Sequence, residues 1–151
     1  LINKTNQFNT TQEKISISSM KEKVNDGQDI ILNASLSDKF TSHGIVSVMY
    51  GKKINMNEIK IDIWVMSCRV FNRGLENLLF QVFIDYCKKL KFQKITALYR
   101  KTDRNINYLN LYENFGFTTK DQTKDEVIWE MDLNKEIKFH KHAITLDYDR
   151  K

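Results

Sequence analysis

"IKIDIWVMSCRVFNRGLENLLFQVF", residues Ile59 to Phe83, carries the reading of the fold, because one short turn inside it joins two different hydrophobic periods. Before the turn, Ile59 to Cys68 is apolar on both parities, with Ile61, Ile63 and Val65 to one side and Trp64, Met66 and Cys68 to the other. That pattern predicts a central strand covered on both faces. After Gly74 the period changes: Leu75, Leu78, Leu79, Val82, Phe83, Tyr86, Cys87 and Leu90 follow the i, i+3, i+4, i+7 rule. The segment Leu75 to Leu90 is therefore an amphipathic helix of about four turns. Between them lies "SCRVFNRG" (Ser67 to Gly74). A strand that feeds a helix through a polar, glycine-ended turn leaves backbone N–H groups unpaired and pointing at one place, which is an anion site in waiting. Arg69 and Arg73 would add charge to it; the plainer alternative is two solvated arginines and a glycine that permits the turn.

Working outward, "DIILNASL" (Asp29 to Leu36) and "GIVSVMYG" (Gly44 to Gly51) read as strands joined by short polar connectors, which favour antiparallel neighbours. "KITALYR" (Lys94 to Arg100) and "EVIWEMDL" (Glu126 to Leu133) are further strands, and "NINYLNLYENFGF" (Asn105 to Phe117) is a short helix closed near Gly116. The mixture is α+β: an antiparallel meander, then a strand–helix–strand crossover that makes the flanking strands parallel. The sheet should open in a V between the strand ending at Cys68 and the strand from Lys94. Three regions follow: a polar N-terminal segment 1–28, a domain 29–133 and a charged tail 134–151.

The chain has 151 residues, 41% hydrophobic and 28% charged, the size of one domain with one core. Its 24 Lys and Arg against 19 Asp and Glu leave a net charge of +5, a spread excess that suits an anionic ligand or an acidic protein. No aromatic-and-basic motif points to nucleic acid, and no apolar run or leader points to a membrane, so a cytoplasmic protein is expected. The start at Leu1 is expected of a fragment. Cys68 and Cys87 make no disulfide framework and no metal spacing, and His140 and His142 have no third ligand nearby, so no metal is expected.

With those elements in order, the chain resembles the GNAT acyltransferases. Their acyl-CoA loop runs Arg or Gln, two residues, Gly, one residue, Gly or Ala; Arg69 and Gly74 stand at the ends of that pattern and Asn72 replaces the middle glycine. Their second signature is similar to Asn105, Tyr108, Leu111, Tyr112, Gly116 and Phe117, with Tyr108 in place of an alanine. A closer resemblance takes in "LINKTNQFNTT", "SDKFTSHGIVSV", "SCRVFNRGLE", "LYRKTDRN" and "LYENFGF", which together look like the C-terminal half of FkbH-like proteins, where a HAD-type phosphatase domain precedes a GNAT-like one. The resemblance implies loading of a glyceryl group from 1,3-bisphosphoglycerate onto an acyl carrier protein, a step of methoxymalonyl-ACP type biosynthesis. It also implies an upstream HAD domain carrying an Asp-x-Asp nucleophile motif.

Against that background the candidate residues have paired readings. Arg69, Asn72, Arg73 and Gly74 would hold the phosphate of a pantetheine thioester, on CoA or on the carrier protein. Cys68 reads as a nucleophile that takes the acyl group, or as a small buried hydrophobe; Cys87 belongs to the core stripe. His43 reads as base for Cys68 or as a turn histidine. Tyr112 stands where GNAT enzymes place the acid for the departing thiolate, or is core packing. Thr102 and Asn105 would bind pantetheine amides, or Asn105 caps the following helix. Asn3, Thr5, Asn6, Gln7 and Asn9 surround Phe8 and would recognise a hydroxyl-rich acyl group, or form an interdomain linker. A conventional GNAT N-acyltransferase and a non-catalytic carrier-protein docking domain are the alternatives.

Overall fold

The computed structural model describes residues 8–11, 18, 22, 29–70, 73–141 and 144–145. Among them, seven strands form one mixed sheet: β1 (Phe8–Asn9), β2 (Ile30–Ser37), β3 (Ser42–Lys53), β4 (Glu58–Met66), β5 (Lys94–Arg100), β6 (Thr118–Gln122) and β7 (Glu126–Asp132). The helices α1 (Leu75–Lys89) and the single-turn α2 (Leu111–Asn114) accompany it. The order across the sheet is β2-β3-β4-β5-β7-β6, with β1 paired to β4 off that path. β4 and β5 run parallel on either side of α1, as the crossover requires, and the other pairings are antiparallel. The α+β architecture expected from the sequence, an antiparallel meander followed by a parallel crossover, is the one observed.

The central strand departs from strict alternation. Tyr50 of β3 faces Ile63 while the next residue, Gly51, faces Ile61, so Asp62 bulges out of the ladder. A bulge flips the faces of everything beyond it. Ile59 and Ile61 therefore share the main core with Trp64 and Met66, whereas Ile63 and Val65 join Val48 and Tyr50 on the opposite face. The expected grouping of Ile61 with Ile63 and Val65 is thereby corrected. Below the bulge α1 lies so near the sheet that a Cβ on Gly51 would come within 2.6 Å of the Phe83 ring.

Four other features differ from the sequence reading. Asn105 to Phe117 is not one helix but a 3-10 turn (Ile106–Tyr108) followed by α2. Strand β6, with every residue exposed, has no apolar period by which to be recognised. The charged C-terminal segment also contributes to the core: Ile137 and Ile144 pack on it, and the Phe139 ring lies 6.3 Å from Phe80. The polar N-terminal segment enters the sheet itself at Phe8.

Candidate functional site

The site is best built from the seam between β4 and β5. At its lower end Glu58 to Ile61 pairs directly with Lys94 to Ala97. Above Ile61 and Ala97 the strands are no longer partners, and the divergence begins at the Asp62 bulge. A bulge bends and twists its strand, which is how one edge leaves its neighbour.

The opening is filled by residues 8–11. Phe8 pairs with Met66 and Asn9 with Val65. The Thr10 N–H donates to the Trp64 carbonyl at 3.2 Å, and the Thr10 carbonyl accepts from the Arg100 N–H at 2.7 Å. Thr11 continues downward, its hydroxyl donating to the Asp62 carbonyl at 3.2 Å and its carbonyl accepting from the Arg100 guanidinium at 3.3 Å. All four residues are at most 3% exposed. The Phe8 ring meets Trp64 edge-on at 5.5 Å and lies 5.1 Å from Tyr108.

Asn105 ties this insert to the next loop. Its amide nitrogen donates to the carbonyls of Asn9 (3.0 Å) and Arg100 (2.8 Å), and its side-chain oxygen accepts from the Thr102 N–H (2.8 Å). The Thr102 hydroxyl accepts from the Asn105 N–H at 3.3 Å. Asn105 is fully buried with each amide group engaged, and its side chain does not cap the 3-10 turn that follows. The expected cap is corrected: the side chain points back into the sheet. Asn9 is likewise inward, its side-chain oxygen accepting from the Thr11 N–H at 3.3 Å.

Three phenols surround the insert. Tyr99 donates to the Asn105 carbonyl, and burial, with Tyr108 nearby, pushes its pKa well up. Tyr112 is fully buried. Burial drives its phenol up, the adjacent Thr10 hydroxyl draws it back in part, and Tyr99 adds to the rise. The Thr10 and Tyr112 hydroxyls face one another without completing a hydrogen bond of ordinary geometry, so both are buried and unpartnered. Tyr108 is half-buried, and its phenol is raised by burial and by the Cys68 thiol beside it.

At the mouth of the opening, Cys68 begins a 3-10 turn (Cys68–Val70) and is exposed. Arg69 and Arg73 are exposed, with Arg69 Nε donating to the Ser67 hydroxyl at 3.4 Å. Gly74 closes the turn at φ 83°, a left-handed conformation suited to glycine. Gly74, at the N-cap of α1, has no side chain with which to cap the first N–H groups of the helix. Beside them a groove of about 580 Å³ runs past Glu76, Asn77, Tyr108, Asn110, Asn114 and His140. His140 bonds the Asn114 carbonyl at 2.7 Å.

Chains of known structure share this fold. A GNAT family acetyltransferase from Elizabethkingia anophelis with acetyl-CoA bound superposes with a TM-score of 0.60 at 13% identity, over 78% of this chain and 83% of that one. A GNAT-family protein from Desulfovibrio desulfuricans gives 0.62 at 10% identity over 77% and 76%. The Campylobacter jejuni N-acetyltransferase PseH, in complex with acetyl coenzyme A, gives 0.55 at 19% identity over 75% and 74%. The chain has the GNAT acetyltransferase fold. No family model matches the sequence, and no curated protein does.

Within this GNAT fold, the structure brings Cys68, Arg69, Arg73 and Gly74 to the mouth of the opening and Thr102, Asn105 and Tyr112 to its walls. His43 lies at the beginning of β3, on the same end of the sheet as Cys68; its side chain is outside the described set, as are Asn3, Thr5, Asn6, Gln7, Asn72 and His142. Cys87 is buried on α1 and burial holds its thiol up at about 12. Among the described residues no three His, Cys, Asp or Glu side chains converge as a metal site, and no helix is long and apolar enough to cross a membrane. Sequence reasoning missed Phe8, Thr10 and Tyr108 as parts of the site. The signal for Phe8 was a lone aromatic in a run of amides, which by itself carries no period.

Proposed function

We propose that this chain is an acyltransferase-type domain that binds a pantetheine thioester at the β4–β5 opening, with the pantetheine phosphate held at the mouth. The observation that carries the reading is the pairing of that opening with an exposed thiol at its rim: Cys68 stands at the end of β4 beside two exposed arginines and the uncapped start of α1. Backbone N–H groups and guanidinium groups are what a pantetheine phosphate requires. An exposed thiol is what acyl exchange requires. In that exchange the Cys68 sulfur attacks the thioester carbonyl, and the pantetheine thiolate departs with a proton. His43 is the candidate base for the thiol. The resemblance to FkbH-like proteins supplies the finer reading: a glyceryl group derived from 1,3-bisphosphoglycerate, an acyl carrier protein as the pantetheine bearer, and an upstream HAD-type phosphatase domain as donor, in the cytoplasm. Asn3, Thr5, Asn6 and Gln7 are then candidates for recognising the hydroxyl-rich acyl group.

A second reading, N-acyl transfer from acyl-CoA, is favoured by the position of Tyr112, a phenol on the wall of the opening that is protonated at neutral pH and can donate to a leaving thiolate. The deciding experiment incubates the chain with glyceryl-pantetheine and follows the peptide containing Cys68 by mass spectrometry. Gain of one glyceryl group on Cys68, released on adding holo-carrier protein, supports the first reading. Full transfer by Cys68→Ser, with loss in Tyr112→Phe, supports the second. Carrier-protein binding untouched by either change, with no transfer at all, leaves a docking domain.

A further inference from the structure

Resting on the pantetheine reading above, the geometry points to one more device. We propose that Phe8–Thr11 is a displaceable strand that shuts the opening, so that docking of this segment and entry of a pantetheine arm are mutually exclusive. The segment is bonded on both sides, to β4 through Met66, Val65 and Trp64 and to β5 through the Arg100 N–H. It thus spends the backbone donors and acceptors that the two diverging strands would offer to any extended, amide-bearing chain. A pantetheine arm is such a chain, and the slot has room for one strand.

The resident strand also fits imperfectly. The Thr10 hydroxyl and the Tyr112 hydroxyl are both buried and both unpartnered, and Trp64, whose ring lies against Phe8, leaves its indole N–H without a partner. Buried polar groups are nearly always paired, and a cluster of exceptions around one segment marks a place where another occupant would be better matched. Tyr112 is the telling member: it lies fully buried on the wall of the opening, with its hydroxyl turned toward the segment. Among the described residues the ladder to β4 has two register pairs, against four in the seam below it. An occupant that is a covalent part of the chain competes at high effective concentration, so free ligand meets a closed slot until the segment withdraws.

The test locks the strand. Asn9 and Val65 are direct cross-strand partners, and Asn9→Cys with Val65→Cys, in a Cys68→Ser background, places two thiols where oxidation would join them. Binding of coenzyme A and of pantetheine is then measured by calorimetry on oxidised and reduced forms of the same protein. Binding at least tenfold weaker when oxidised, restored by reduction, is the expected result. Phe8→Ala, which loosens the strand by removing the ring that rests on Trp64 of β4 while leaving the β4 and β5 residues themselves unchanged, should in turn bind at least tenfold more tightly. Equal affinity of oxidised and reduced forms would overturn the displaceable strand while leaving pantetheine binding standing. Absence of binding to the reduced form, to Phe8→Ala and to wild type would overturn the pantetheine reading itself, and this inference with it.

Discussion

The lower and upper halves of the β4–β5 seam are made from the same two strands and are closed in different ways. Below Asp62, Ile59 and Ile61 meet Ile95 and Ala97 directly, on a hydrophobic layer of which all four are fully buried parts. Above it, the same strands meet only through a third, and that third strand is polar except for Phe8. The lower seam is held by apolar burial, which has no better occupant to yield to. The upper seam is held by hydrogen bonds, which any chain with suitable amides can copy. One strand pair thus supplies both a rigid hinge and an exchangeable slot, with a single bulged residue dividing them.

The sharpest way to break that comparison is to truncate each half. Ile61→Ala should lower stability by about 2–5 kcal/mol, the range for a large core residue. Phe8→Ala should cost no more than about 2 kcal/mol, below the usual range for a buried Phe, because the segment lets go before the sheet unfolds. Denaturant titration of both variants checks this; equal losses would make the upper seam as permanent as the lower.

Alkaline pH offers a second contrast. Tyr99 and Tyr112 wall the upper seam, and burial holds both phenols up. The unfolded chain releases those protons near the ordinary tyrosine pKa of about 10, while the folded chain keeps them. Their contribution is whole below that pH and falls by about 1.4 kcal/mol per pH unit per group above it. Cys87, raised from 9.0 to about 12, adds the same loss from about pH 9 upward. Stability that stayed level to about pH 11 would contradict the buried, protonated phenols.

The smallest expected effect is at the rim. Arg73 is exposed, so its contribution to binding a pantetheine phosphate is screened: Arg73→Ala should weaken coenzyme A binding by about 1 kcal/mol, less at high salt. Calorimetry at two ionic strengths reads it, and an unchanged affinity would leave the Ser67–Gly74 turn without an anion.

Much of this frame was legible in the sequence because it rests on strong periods. The α1 stripe from Leu75 to Cys87, the doubly apolar β4 and the parallel crossover are written in spacing alone. The twist that gives the site its character was not. The Asp62 bulge leaves no mark because Ile59-Lys60-Ile61-Asp62-Ile63 alternates as an unbroken strand would, so the change of face between Ile61 and Ile63 is invisible. Strand β1 is two residues long, and its burial comes from the gap it fills rather than from its own apolarity: Asn9, Thr10 and Thr11 read as surface residues. Asn105 stood out by its place in a motif, yet its inward turn depends on the Asn9 carbonyl, which lies 96 positions away in the chain.

The central claim, that a pantetheine arm and Phe8–Thr11 compete for the upper seam, is tested most directly by amide hydrogen exchange with and without coenzyme A. The Thr10 amide, bonded to the Trp64 carbonyl, should lose its protection when coenzyme A binds, while the amides of Ile59, Ile61 and Ile95 in the lower seam stay unchanged. Coenzyme A bound with the Thr10 amide as protected as before would contradict it.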